Sequence, residues 1–269
     1  MGLLENTMTG VIGVGNMGAA LVSGLAHTGA RTACFDLDRE KLQTAARYPG
    51  VVAADSPRDL AGKSDIIVVA VKPDAVAEVL NAIKDASEGK IIISIAAGVN
   101  LATLARHLGP SRRIFRAMPN TPALVGESMT VIAPAADIDD GAVETVKAIF
   151  ASIGKVLVLP EKAMDAVTGL SGSGPAYVFA FIQALTDGGV KMGIPRAQAL
   201  TLAAQTVLGA ARMVLETGDD PALLRGRVTS PGGTTIEGLH VMERSGFSGI
   251  VMDAVEAAAL KSRRLGEGK

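Results

Sequence analysis

The sequence predicts an α/β domain built on a doubly wound, mostly parallel sheet, followed by an all-helical domain. Short apolar runs alternate with helix-period patterns through the first 160 residues, the signature of strands joined by crossover helices. Several of those runs carry no polar residue, as expected of strands buried on both faces. After Pro160 the character changes to long, glycine-punctuated helical stretches with no strand-like run among them. The expected division is therefore 1–160 and 161–269.

In chain order, strands are expected at 11–14, 32–35, 66–71, 91–95, 114–116, 130–133 and 156–159. Residues 40–47, 74–86, 101–108 and 139–153 place apolar side chains three and four apart, which predicts helices against the sheet. Two longer helices follow at 175–192 and 196–217, stopped by Gly193 and Gly218. Between residues 176 and 210 only Asp187, Lys191 and Arg196 are charged, so these helices are apolar around much of their circumference. A small domain cannot bury that much surface alone, which predicts an extensive interface with another subunit. The Gly188-Gly189 pair fits either a close helix crossing or simple tolerance of glycine.

Chemistry enters at the first strand's end. Gly13-Val14-Gly15-Asn16-Met17-Gly18 reads strand, turn, helix: Gly13 for the tight turn, Gly15 for close approach of a pyrophosphate, Gly18 for helix-on-strand packing. The second strand ends in Asp36, where a carboxylate can meet an adenosine ribose; Arg39 is near enough to offset its charge toward a 2′-phosphate. Both nicotinamide dinucleotides are thus expected to bind, with a lean toward NADH. Ligands of open α/β sheets lie at the carboxyl ends of the strands. Loops Val71-Lys72-Pro73, Ala96-Ala97-Gly98-Val99 and Met118-Pro119-Asn120-Thr121-Pro122 should face them. Lys72 is either a ligand contact or a solvated strand-end lysine. Asn120, held between prolines, is either a rigidly presented amide or part of a stiff connector.

A second anion cradle is expected at Ser230-Pro231-Gly232-Gly233-Thr234-Thr235-Ile236, where bare amides and hydroxyls precede a helix. A carboxylate fits such a turn, and so does the plainer reading of Ser and Thr capping a helix. Gly169-Leu170-Ser171-Gly172-Ser173-Gly174 lacks the glycine that a nucleophile elbow needs after its serine. Its serines, Ser173 among them, either cap the next helix or face the active cleft.

Composition closes off other classes. A net charge of −1 offers no basic stripe for nucleic acid. His27, His107 and His240 are isolated, which argues against a metal centre. Cys34 is the sole cysteine and suits a reducing cytoplasm. Residues 1–7, from Met1, carry no basic leader, and the longest uncharged apolar stretch, 197–211, is too short to span a bilayer.

Taken together, the glycine fingerprint with Asn16-Met17, Val71-Lys72-Pro73, Ser94-Ile95-Ala96-Ala97-Gly98-Val99, Arg116-Ala117-Met118-Pro119-Asn120-Thr121-Pro122, Gly172-Ser173-Gly174-Pro175-Ala176-Tyr177 and 230–235 resemble pyrroline-5-carboxylate reductase from end to end. The resemblance implies a Rossmann domain followed by an all-α dimerisation domain whose helices interleave with a partner's. It also implies reduction of 1-pyrroline-5-carboxylate to L-proline with NADPH or NADH, the last step of proline biosynthesis, and dimers that assemble further into decamers. On that basis the dinucleotide lies against Gly13, Gly15, Asn16, Met17, Gly18, Asp36, Val71, Lys72, Pro73, Ala96, Ala97, Gly98 and Asn120. Ser173, Ser230, Gly232, Gly233 and Thr234 hold the substrate, and Thr235 bonds its ring nitrogen. A protonated imine accepts hydride without a strong general acid, which suits a site with few titratable groups. A β-hydroxyacid dehydrogenase shares the plan but needs a lysine along the first long C-terminal helix, where only Lys191 stands, at the far end. A dinucleotide-sensing or structural protein would have no use for the second cradle.

Overall fold

The computed structural model describes residues 4–109 and 112–267; Met1 and the outermost limits of the two expected domains lie outside the described residues. Among the described residues eight strands form one sheet: β1 (Thr9–Ile12), β2 (Thr32–Phe35), β3 (Val51–Ala53), β4 (Ile66–Val69), β5 (Ile91–Ser94), β6 (Arg113–Met118), β7 (Ser128–Pro134) and β8 (Gly154–Val158). Their order is β3-β2-β1-β4-β5-β6-β7-β8. All neighbours are parallel except β6 and β7, which pair antiparallel, Met118 opposite Val131. Residues 119–127 are too few for a crossover, so the chain can only double back.

Helices α1 (Asn16–His27), α2 (Arg39–Ala45), α3 (Pro57–Lys63), α4 (Val76–Ile83), α5 (Leu101–Leu108) and α6 (Asp140–Ala151) cover both faces. Successive strand residues point to opposite sides. Val11, Cys34, Val68, Ile93 and Phe115 join the core under α1 and α6. Ile12, Ala33, Ile67, Val69, Ile92 and Ile114 join the core under α3, α4 and α5. Strand β3 and helix α3 were not expected from the sequence. β3 has only Val51 buried, and α3 spans barely two turns, although Ser56 caps it and Pro57 opens it.

Buried Arg116 of β6 carries a charge deep in this unit. Its guanidinium lies 3.7 Å from Glu161 and 3.9 Å from Asp165, and Ser262 Oγ donates to Asp165 at 2.7 Å. Burial pulls the Arg116 pKa down while the two carboxylates oppose the shift.

After β8 come α7 (Met164–Val167) and a single π-turn, Thr168–Gly172. They lead to α8 (Gly174–Lys191), α9 (Arg196–Thr217), α10 (Pro221–Arg227), α11 (Thr234–Arg244) and α12 (Phe247–Gly266). Contacts divide the chain into one unit of residues 1–173 with 256–269 and a second of 174–255, so α12 belongs to both. Within the second unit Gly189 lies where α8 meets α9: an added Cβ would stand 3.1 Å from Ala199 Cβ, whereas Gly188 has open space. Of the two glycines, Gly189 therefore serves a close crossing. The unit buries mainly small residues, Ala199, Ala203 and Thr186, and leaves Phe179, Leu202, Leu208 and Leu215 exposed. Exposed apolar side chains of this size and number mark a surface suited to association.

Cys34 is fully buried in β2, and burial, helped by the Asp36 carboxylate, pushes its pKa up from 9.0 to about 11. The unfolded chain loses this proton first as pH rises. The contribution to stability is therefore complete below pH 9.0 and is lost as pH climbs through about 11. At about pH 8 the folded chain should resist iodoacetamide and take up one equivalent in guanidinium. Rapid alkylation of the folded chain, followed by mass spectrometry, would contradict this burial.

Candidate active site

The turn after β1 is shaped by collisions it avoids. Gly13 has φ +94°, and a Cβ there would stand 2.6 Å from the Ala70 carbonyl oxygen at the end of β4. A Cβ on Gly18 would run into the Gly13 carbonyl oxygen. Gly15, the N-cap of α1, has nothing within 4 Å. The protein's own packing thus requires glycine at 13 and 18 but not at 15, where the open space suits the close approach of a ligand. No side chain caps α1, and its first turn holds no acidic residue. Its orphan N–H groups and positive dipole end face an anion without competition.

This turn sits where the strand order reverses, between β1 and β4, the place at which doubly wound sheets bind ligands. A cavity of about 460 Å³ opens there, lined among others by Gly13, Gly15, Asp36, Leu37, Val71 and Lys72. Half-buried Asp36 accepts from Val14 N–H at 2.7 Å and from Asp38 N–H at 2.8 Å. Lys72 is exposed and its side chain makes no hydrogen bond among the described residues, and Pro73 beside it opens a short 3-10 turn. Asn16 is exposed, while Met17 packs partly into the core.

The remaining predicted contacts are more deeply committed to the fold. Ala96 is buried, Ala97 is half-buried, and Gly98 packs against Leu265 and Gly266 of α12. The Asn120 amide donates to Ser171 O at 3.0 Å, and its oxygen accepts from Met129 N–H at 3.0 Å. That side chain ties β7 to the π-turn. Ser173 is half-buried, with its N–H bonded to Thr168 O at 2.8 Å.

In the second unit, Gly232 takes φ +66°, and Gly233 N–H closes the turn onto Ser230 O at 3.0 Å. Gly233 is the N-cap of α11, which no side chain caps. Sequence left open whether Ser and Thr here cap a helix. Among the described residues the hydroxyls of Ser230, Thr234 and Thr235 make no hydrogen bond, so they and the α11 amides are free for a ligand. Also among the described residues, no three His, Cys, Asp or Glu side chains stand together so as to hold a metal ion. No helix among them is long and apolar enough to cross a membrane.

Fold and glycine turn define a nicotinamide-dinucleotide oxidoreductase of the Rossmann class. Pyrroline-5-carboxylate reductase of Escherichia coli is 44% identical over 261 residues, covering 95% of this chain and 97% of that relative. The chain belongs to the pyrroline-5-carboxylate reductase family. The profile described as pyrroline-5-carboxylate reductase dimerisation matches residues 161–265, and that described as NADP oxidoreductase, coenzyme F420-dependent, matches residues 8–98. Among solved structures, a Plasmodium falciparum pyrroline carboxylate reductase with NADP bound is 37% identical with a TM-score of 0.88, covering 98% of this chain and 99% of that one. A Coxiella burnetii pyrroline-5-carboxylate reductase is 34% identical with a TM-score of 0.91, covering 96% and 98%.

Replacing Gly15 by alanine should leave the melting temperature unchanged and weaken NADH binding by on the order of tenfold, about 1.4 kcal/mol. Gly18→Ala, in contrast, should destabilise the fold itself. Calorimetry beside a fluorescence titration separates the two; unaltered NADH affinity in Gly15→Ala would mean that no ligand approaches this glycine.

Proposed function

We propose that this chain reduces 1-pyrroline-5-carboxylate to L-proline with NAD(P)H. The observation that carries the reading is a second anion cradle, with three unpartnered hydroxyls, in a chain that matches named reductases over nearly its whole length. Residues 1–160 form the dinucleotide half of this reading and residues 161–269 its dimerisation and substrate half. Bound dinucleotide supplies the hydride that reduces the imine carbon.

The chain's own residues do the rest by positioning. The α1 N-terminus and Gly15 hold the pyrophosphate, and Asp36 holds the adenosine ribose. Asn16, Met17, Gly18, Val71, Lys72, Pro73, Ala96, Ala97, Gly98 and Asn120 shape the surrounding wall. Gly232 and Gly233 amides with Ser230 and Thr234 hold the substrate carboxylate, Ser173 borders the ring, and the Thr235 hydroxyl bonds its nitrogen. Orientation of this kind lowers the barrier without a strong acid. The single buried thiol supports a cytoplasmic setting. Assembly of dimers into decamers rests on the family resemblance alone.

Purified chain should oxidise NADH or NADPH in the presence of 1-pyrroline-5-carboxylate and release proline; no proline with either dinucleotide would overturn the reading. Thr235→Ala should lower kcat by on the order of 10- to 1000-fold with little change in dinucleotide affinity, because the lost contact strengthens at the reacting centre. A reduced melting temperature with normal kcat would instead assign Thr235 to helix stability.

The exposed apolar face of α9 supports dimerisation. Sedimentation at micromolar concentration should find a dimer or larger species. Leu202→Asp, at a side chain 57% exposed in the single chain, should dissociate it. An unchanged sedimentation coefficient in that variant would place the interface elsewhere.

A further inference from the structure

We infer that this chain selects NADH over NADPH, because Asp36 and Asp38 set two carboxylates, with several of the local backbone donors already bonded to them, at the turn between β2 and α2 where a 2′-phosphate would sit. The inference rests on the dinucleotide reading above and deepens it. A nicotinamide dinucleotide held at the glycine turn brings its adenosine ribose to the end of β2. The two cofactors differ there by one phosphate, which needs N–H donors and positive charge.

Much of the turn's donor capacity is already engaged. Asp36 Oδ2 accepts from Val14 N–H at 2.7 Å, and Oδ1 accepts from Asp38 N–H at 2.8 Å. Asp38, the N-cap of α2, takes Glu40 N–H at 3.1 Å and Lys41 N–H at 3.3 Å on Oδ1. Its other oxygen lies 3.0 Å from Lys41 Nζ. Four amides and an ammonium are thus engaged by the chain's own carboxylates, and the Leu37 and Arg39 N–H groups that remain each follow one of those carboxylates directly in sequence. Hydrogen bonding to Lys41 also holds the Asp38 carboxyl below its usual range, so this cap stays charged.

Charge around the cavity acts in the same direction. Asp36, Asp74 and Glu78 line it against Lys72 alone, so a group bearing nearly two negative charges enters a field of its own sign. A free ribose meets no such penalty. Each Asp36 oxygen keeps a second lone pair after its backbone bond and can accept from the 2′- and 3′-hydroxyls. The opposing group is Arg39, which makes no ion pair among the described residues. It is exposed and does not line the cavity. Capture of a 2′-phosphate by Arg39 would therefore occur in solvent, where the interaction is weak, and against two adjacent carboxylates. The lean toward NADH expected from sequence is thereby sharpened into a preference.

The test is a fluorescence titration of the purified, full-length chain with NADH and with NADPH, without pyrroline substrate and at matched ionic strength. Kd should favour NADH by about tenfold or more, and added salt should narrow the gap by screening the repulsion. Asp36→Ser should reduce the Kd ratio by about tenfold or more. Asp36→Asn, which keeps an oxygen to accept from Val14 N–H while removing the charge, should do the same in a chain whose melting temperature is retained. Equal or tighter binding of NADPH by the unmodified chain would overturn the inference, as would an unchanged ratio in folded Asp36→Asn. Because the readout is binding, absence of proline formation would count against the reductase reading and leave the ratio intact. Binding of neither dinucleotide would overturn both.

Discussion

The close approach of α1 to the ends of β1 and β4 is the constraint from which the rest of the site follows. Gly13 lies so near the Ala70 carbonyl, and Gly18 so near Gly13, that any side chain at either position would force the helix away. With the helix seated, Gly13 N–H reaches the Phe35 carbonyl at 2.8 Å, and the next amide, Val14, falls to Asp36. Two residues of one turn thus fix both the start of α1 and the Asp36 carboxylate on the wall of one cavity. A shift of about an ångström in the helix would disturb both at once.

The strands were legible in the sequence because a parallel sheet buried on both faces leaves no room for polar residues, as in Ile66-Ile67-Val68-Val69. The edge strand β3 escaped notice for the complementary reason: Val52 and Ala53 are exposed, so three residues carry too little pattern. The antiparallel pairing of β7 could be read only from the shortness of the connection before it, since its apolar content matches that of its neighbours. Both glycine-rich turns were legible because backbone requirements leave few residue choices. The hydrogen-bond state of their hydroxyls and carboxylates was not. Whether Thr235 caps a helix, or whether Asp38 closes one, depends on side-chain direction, which spacing does not encode. Asn120 shows the same limit from the other side. Its position between prolines was evident, but the partners of its amide, Ser171 on the distant π-turn and Met129 on β7, were not.

The second unit is organised by a different economy. Its helices bury alanines and a threonine where they cross and keep their large apolar side chains outside. An isolated copy would expose enough hydrocarbon to associate, so burial completed between copies substitutes for burial within one. Stability and assembly are then linked, and the apparent melting temperature depends on protein concentration.

The course of α12 gives the chain an unusual order of completion. Its last turns belong to the first unit: Ser262 bonds Asp165 beside the buried Arg116, and Leu265 with Gly266 backs the loop at Gly98. On the ribosome, domains ordinarily close as they emerge, the N-terminal one first. Here the N-terminal sheet lacks a piece of its own wall until α12 has emerged. Nascent chains therefore carry an incomplete sheet unit until α12 is made, and truncation within α12 would damage that unit as well as the helix itself.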